Sequence, residues 1–310
     1  MNYYPYFRGK QYELICLREQ AGLIAAREFT PIIEPVKEGL GGLLRALGAL
    51  SNAGAEYHVV ANPSVGHHAG VLAKGVRQEI IAEVEEHPGF SWLFQIAEPN
   101  DVYALNDWLK KHPNTAILHH GGGAVASKDV LAVLSSHETE PNVNIFGPNS
   151  TTRYRSAFAS SFRVLLNEGF KKQKNADYSE IEIFSELPAT YQDLKMDGFG
   201  DYLIVGNEYS EGGGAAYAVA IHITFADPDE DGVIFVRHFV STTNNTPLDP
   251  AGKFREALEK LVLHCNSSKS KLPKTKAIEE FRSLHASGHF PGLGYVKKLS
   301  MQHHLEMMGG

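Results

Sequence analysis

In the first 150 residues, short and largely apolar runs alternate with stretches of helical spacing. The runs cover residues 3–8, 30–34, 57–61, 90–97, 115–119 and 143–146. They do not alternate polar with apolar residues, which is the pattern of strands buried on both faces. Strands of that kind separated by helices imply a parallel sheet covered on both sides. A repeat of roughly 25 to 30 residues favours a closed barrel over an open doubly wound sheet. No G-x-G-x-x-G follows the first run, which argues against a dinucleotide-binding open sheet. Residues 162–166 and 200–205 read as further strands. Two β-rich runs, 217–225 and 233–240, flank the acidic turn 226–232 and read as an antiparallel hairpin. The expected fold is therefore α/β: a TIM-barrel-like (β/α) core over residues 1–265 carrying that hairpin. A linker and C-terminal helices over residues 266–310 are expected to pack on it.

Composition narrows the class. The chain of 310 residues is 43% hydrophobic and 21% charged, which excludes general disorder. A net charge of −7 removes any global basic field, so nucleic-acid or lipid binding would need a local patch. Two cysteines, Cys16 and Cys265, are too few for a disulfide framework or a cysteine zinc site. No run approaches the ~18 apolar residues of a membrane-spanning helix, and the first residues lack the plan of a signal peptide. A cytoplasmic location is expected.

Barrels bind ligands where the carboxyl ends of the strands open into loops. The polar residues at those ends are Arg8 and Lys10, Glu34, Asn62, Gln95 with Glu98, His119 and His120, and Asn149 with Arg153 and Arg155. Later strand ends add Asn167, Glu168, Lys171, Lys172 and Asp201. Glu34 lies between Ile33 and Pro35, where a carboxylate is costly unless paired; Arg8 and Lys10 are its natural partners if the first two strands are neighbours. Arg8, Lys10, Glu34, Asn62 and Asp201 are expected in one cleft.

Adjacent strand residues point to opposite faces, so His119 and His120 cannot both face one site. Gly121, Gly122 and Gly123 follow them and allow a tight turn whose amides could cradle an anion. No H-E-x-x-H or H-x-H string appears, although a composite divalent-metal site could draw on Glu34, His119 or His120, Glu168 and Asp201. The acidic turn 226–232 reads as a solvated hairpin turn, since His238 stands where a calcium loop needs glutamate. Arg153-Tyr154-Arg155 and Lys171-Lys172-Gln173-Lys174 are the two basic clusters, suited to phosphate or to nucleic-acid backbone.

Several strings resemble the beta-protein family of phages and bacteria. They are Pro5-Tyr6-Phe7-Arg8-Gly9-Lys10-Gln11-Tyr12-Glu13, Pro31-Ile32-Ile33-Glu34-Pro35, Phe199-Gly200-Asp201-Tyr202 and Val236-Arg237-His238. A bacterial branch of the family is more similar still, through residues 169–178 and the closing 288–295. The resemblance spans essentially the whole chain. It implies no established activity and supplies no catalytic residues. It does imply a nuclease-like partner encoded nearby, and with it an antiviral-defence or mobile-element setting.

Two functions of different class follow. In the first, the barrel is a hydrolase or phosphodiesterase-like enzyme acting on a phosphate-bearing ligand, a nucleotide or a nucleic-acid end. Glu34, His119, His120 and Asp201 would be its catalytic groups. Arg8, Lys10, Asn62, Gln95, Arg153, Arg155, Lys171, Lys172 and Arg237 would bind the ligand. In the second, the barrel is a non-catalytic partner of a nuclease-like protein, docking through its C-terminal helices. A glycosidase using Glu34 and Glu98 is weaker, because sugar platforms beyond Trp92 and Trp108 are not evident.

Overall fold

The apolar runs pair edge to edge and close on themselves. In a computed structural model, β1 (Tyr3–Arg8), β2 (Ile32–Glu34), β3 (Tyr57–Val60), β4 (Phe90–Ile96), β5 (Thr115–Gly121), β6 (Asn144–Asn149) and β7 (Arg163–Asn167) are consecutive parallel neighbours. The last strand, β9 (Gly198–Asp201), pairs with both β7 and β1 and closes an eight-stranded barrel. The structure describes every residue except 85, 86, 122, 139, 140, 142, 213 and 215. Helices α1 (Gln11–Ala26), α2 (Gly41–Ala53), α3 (Lys74–Val84), α4 (Pro99–Leu109), α5 (Ser127–Ser136) and the short α6 (Thr152–Ser156) fill the crossovers. The TIM-barrel-like expectation is met.

The register fixes which side chains share a face. Tyr6 and Arg8 stand opposite Ile32 and Glu34, Ile32 opposite His58, and Val60 opposite Leu93. Continuing round, Gln95 meets Leu118, Leu118 meets Ile145, Ile145 meets Val164, and Leu166 meets Gly200, which returns to Tyr4. This set faces the barrel interior. The alternate residues face the helices: Trp92 lies edge-on to Trp108 of α4 at 5.7 Å, and the Trp108 indole donates to Thr115 Oγ1 at 3.0 Å. Inside, Tyr4 stacks on His58 at 6.1 Å. Gly200 leaves room for Tyr4, because a Cβ there would stand 2.1 Å from the Tyr4 carbonyl oxygen.

The chain divides into two compact units, Met1–Glu168 with Thr190–Asp201, and Gly169–Ala189 with Tyr202–Gly310. The expected boundary at residue 265 thus falls inside the second unit. That unit has a three-stranded antiparallel sheet in the order β10 (Ala220–Ala226), β11 (Ile234–Val240), β8 (Ile181–Ser185). The expected antiparallel hairpin is present, as β10 and β11 of this sheet. Its acidic turn is held by Lys271, whose ammonium lies 2.6 Å from Asp227 and 2.8 Å from Asp229. The short α7 (Leu187–Thr190) follows β8. Ile221, Ile223 and Phe239 form a core with Phe254 and Leu258 of α8 (Pro250–Asn266), Phe281 of α9 (Lys276–Ser287) and Leu299 of α10 (Leu293–Met308). The expected strand over residues 200–205 is corrected: β9 ends at Asp201, and Leu203–Val205 is a 3-10 turn entered through Leu203 at φ +49°.

Three histidines are built into these cores as neutral groups. His58 pairs with Ser91 Oγ at 2.6 Å inside the barrel. His119 lies in the helix layer, with Nε2 donating to Asn144 Oδ1 at 2.9 Å and Nδ1 accepting from the Tyr154 hydroxyl at 3.0 Å. His303 donates from Nε2 to the Thr224 carbonyl at 2.7 Å and accepts from Thr275 Oγ1 at 2.7 Å. Burial pulls each pKa down to about 4. The unfolded chain therefore binds more protons than the folded one between about pH 6.5 and 4. Stability is full above that window and is lost as pH falls through it, each histidine adding up to about 1.4 kcal/mol per pH unit. Thermal unfolding from pH 7 to 5 should show a falling midpoint, and a flat profile would contradict the neutral assignment.

Candidate functional site at the barrel mouth

At the carboxyl end of the barrel, the interior face ends in Arg8, Glu34, Asn62, Gln95 and His120. Glu34 is fully buried. Its Oε1 accepts from the Ser64 backbone N–H at 2.7 Å, the Ser64 hydroxyl at 2.9 Å and Gln95 Nε2 at 3.3 Å. Its Oε2 lies 3.6 Å from Arg8 Nε, the ion pair that adjacent strands allow. Gly9 lets the β1 loop close over this pair: its N–H donates to the Glu34 carbonyl at 2.7 Å, and a Cβ would stand 3.1 Å from that oxygen.

Asn62 and Gln95 lock together, Asn62 Nδ2 donating to the Gln95 carbonyl at 2.9 Å and the Gln95 N–H donating to Asn62 Oδ1 at 2.7 Å. The Gln95 Nε2 group is committed to Glu34, so its Oε1 is the acceptor for His120 Nε2 at 2.6 Å. His120 therefore carries its proton on Nε2 and presents Nδ1 as an acceptor. Burial lowers its pKa, with Glu34 opposing in part, and the ring is neutral at pH 7. Glu34, Gln95 and His120 form a chain that sets one tautomer, as a carboxylate does for a catalytic histidine.

The other expected site residues lie elsewhere. Asp201 is on the helix-facing side of β9, where it accepts from the Tyr3 hydroxyl at 2.9 Å, so of the five residues expected in one cleft Arg8, Glu34 and Asn62 share the interior face and Asp201 does not. His119 is likewise on the helix side, with both ring nitrogens engaged. A single ion could not take Glu34, His119 and Asp201 together, and among the described residues no group of three or more His, Cys, Asp and Glu side chains is placed to hold a metal. Lys10 stands at the N-terminus of α1. Glu98 opens α4 and is exposed, its backbone N–H held by Asp101 at 2.9 Å, so no carboxylate pair with Glu34 is formed. Arg155 braces its own loop through the Ser150 carbonyl at 2.5 Å, while Arg153 is exposed. Asn149 and Asn167 end β6 and β7, and Glu168 follows β7. Gly121 and Gly123 both adopt positive φ, and Gly122 lies outside the described residues. Lys171, Lys172 and Arg237 belong to the second unit, Arg237 paired with Glu180.

Sequence reasoning missed Ser64 and a groove beside the mouth. The groove, about 280 Å³, runs from Gly9 past Gln11 to Arg18, Lys37 and Arg45, and among the described residues no acidic side chain lines it. The signal was present in the helical spacing: Gln11, Leu14, Ile15 and Arg18 share a face of α1, and Gly42 and Arg45 one of α2. Among the described residues, no helix is long and apolar enough to cross a membrane. No protein-family model matches the chain, and neither does any curated protein.

Proposed function

We propose that the barrel mouth is an acid–base site acting on a small phosphate-bearing ligand, a nucleotide or a nucleic-acid end, with His120 as proton acceptor. The observation that carries this reading is the chain from Glu34 through Gln95 to His120, which supplies a neutral histidine of fixed tautomer where barrels bind ligands. Glu34 and Gln95 are positioning residues, and the Arg8 charge is already set against Glu34. The phosphate falls to the groove cations Arg18, Lys37 and Arg45. In hydrolysis, His120 Nδ1 takes the proton of the attacking water as the new P–O bond forms, and the leaving oxygen is protonated from solvent.

Calorimetry with mononucleotides and short oligonucleotides tests this. The double variant Arg18→Ala, Arg45→Ala should weaken binding by about tenfold or more. His120→Asn should retain binding and lose turnover. Binding unchanged in the double variant, or no binding by the wild type, would remove the reading. Capture of a nuclease-like partner without ligand binding would replace it with the docking role.

A further inference from the structure

The second unit holds a histidine pair that the barrel reading does not use. His222 and His238 stand directly opposite each other on β10 and β11. Their Nδ1 atoms are 2.7 Å apart, so one ring donates and the other accepts. Glu182 of β8 decides which. Its Oε1 is anchored by Gln173 Nε2 at 3.1 Å and Ser179 Oγ at 2.9 Å, and its Oε2 lies 3.9 Å from His238 Nε2. A bare nitrogen facing a carboxylate is unfavourable, so His238 carries its proton on Nε2. His222 then donates from Nδ1 to His238 and keeps its own Nε2 as a lone pair.

His222 lines a cavity of about 230 Å³ within this unit. Lys172 and Lys297 line it too, with Phe170 and Tyr178 as aromatic walls, and no carboxylate is among the described lining residues. Lys172 Nζ meets only the neutral Ser210 hydroxyl at 3.3 Å among its described hydrogen bonds. Two ammonium groups and a histidine nitrogen around one small polar-and-aromatic space favour an anion. The volume is below the ~300 Å³ at which drug-sized sites begin, so the anion is compact. We propose that this cavity is a proton-coupled binding site for a phosphate group, free or borne by a small molecule, in which His222 Nε2 gains a proton as the anion arrives.

Burial holds the His222 pKa well below its ordinary value, and His238 and Lys297 add to this. Burial also pulls His238 down to about 4 despite Glu182. A phosphate oxygen beside His222 reverses the balance, because the protonated ring then donates to it while Lys172 and Lys297 flank it. The groups facing the pair are thus Glu182 on β8, Tyr178 stacked 4.4 Å from His238, Lys172, and Lys297 on α10. Binding should tighten as pH falls from about 8 to about 6. This site is independent of the barrel mouth.

The test is titration calorimetry of the whole chain with inorganic phosphate and with AMP, near pH 6.5, in two buffers of different ionisation enthalpy. The expected result is uptake of up to about one proton per anion bound. His222→Asn should abolish the uptake and weaken phosphate about tenfold or more. Lys172→Met, an exposed change that leaves the pair intact, should weaken binding severalfold with uptake retained. Binding of AMP but not inorganic phosphate assigns the site to a phosphate ester; equal binding assigns it to phosphate itself. No binding of either, binding without proton uptake in the wild type, or binding indifferent to Lys172→Met would overturn the proposal. The same titrations on the double variant Arg18→Ala, Arg45→Ala, whose binding at the mouth is weakened, should give unchanged phosphate affinity and proton uptake, which separates this site from the mouth.

Discussion

Glu34→Ala is expected to lower the free energy of unfolding by about 3–5 kcal/mol. The substitution strands the Arg8 guanidinium, which is only 6% exposed, without its carboxylate. It also removes the acceptor of the Ser64 N–H, the Ser64 hydroxyl and Gln95 Nε2. Orphaned buried donors are each costly, which places the change at the large end of single substitutions. Glu34→Gln keeps an oxygen for Ser64 but loses the charge, and about 2 kcal/mol is expected. Urea unfolding of both variants reads the difference. A loss within about 1 kcal/mol, or a gain, would mean that the carboxylate stores unfavourable electrostatics and belongs to the reacting groups rather than to their support.

The second large effect is at a glycine inside the barrel. Gly200→Ala puts a Cβ 2.1 Å from the Tyr4 carbonyl oxygen and 3.1 Å from Tyr4 Cβ, both on the neighbouring strand. Neither atom is the end of a flexible side chain, so β1 and β9 must separate at the seam that closes the barrel. A loss of about 3 kcal/mol or more is expected. Gly22→Ala is the matched contrast. Gly22 lies within α1 with nothing inside 4 Å of its would-be Cβ, so alanine should stabilise by about 0.5–1 kcal/mol. Opposite signs in thermal unfolding would verify the packing argument; a neutral Gly200→Ala would refute it.

The barrel was legible because doubly buried parallel strands must be apolar throughout, and β1 to β7 are short enough for turn residues to mark their ends. The exclusive faces of His119 and His120 followed from strand alternation alone. Asp201 was misplaced because the end of β9 is ambiguous by one residue in a Gly-Phe-Gly-Asp-Tyr string, and one residue changes the face. Strand β8 was missed because its Ile181 and Ile183 are the exposed residues and its pattern is inverted, at the edge of a sheet. Tertiary pairing with β11 makes it a strand, and local pattern carries no trace of that. The His222–His238 pair was accessible: a hairpin centred on Asp227–Gly232 sets residues 222 and 238 opposite each other.

The interleaving of the two units constrains how the chain is made. Seven barrel strands leave the ribosome before β8, and the barrel cannot close until residues 198–201 follow. By then β8 has already been synthesised, with Ile181 and Ile183 beside an unpaired backbone edge. Its partner β11 ends at Val240, 55 residues after Ser185. At roughly 5–20 residues per second, that edge waits several seconds. During synthesis, then, the nascent chain carries a finished barrel beside a strand with no sheet, and that interval is where edge-to-edge association between neighbouring chains would begin.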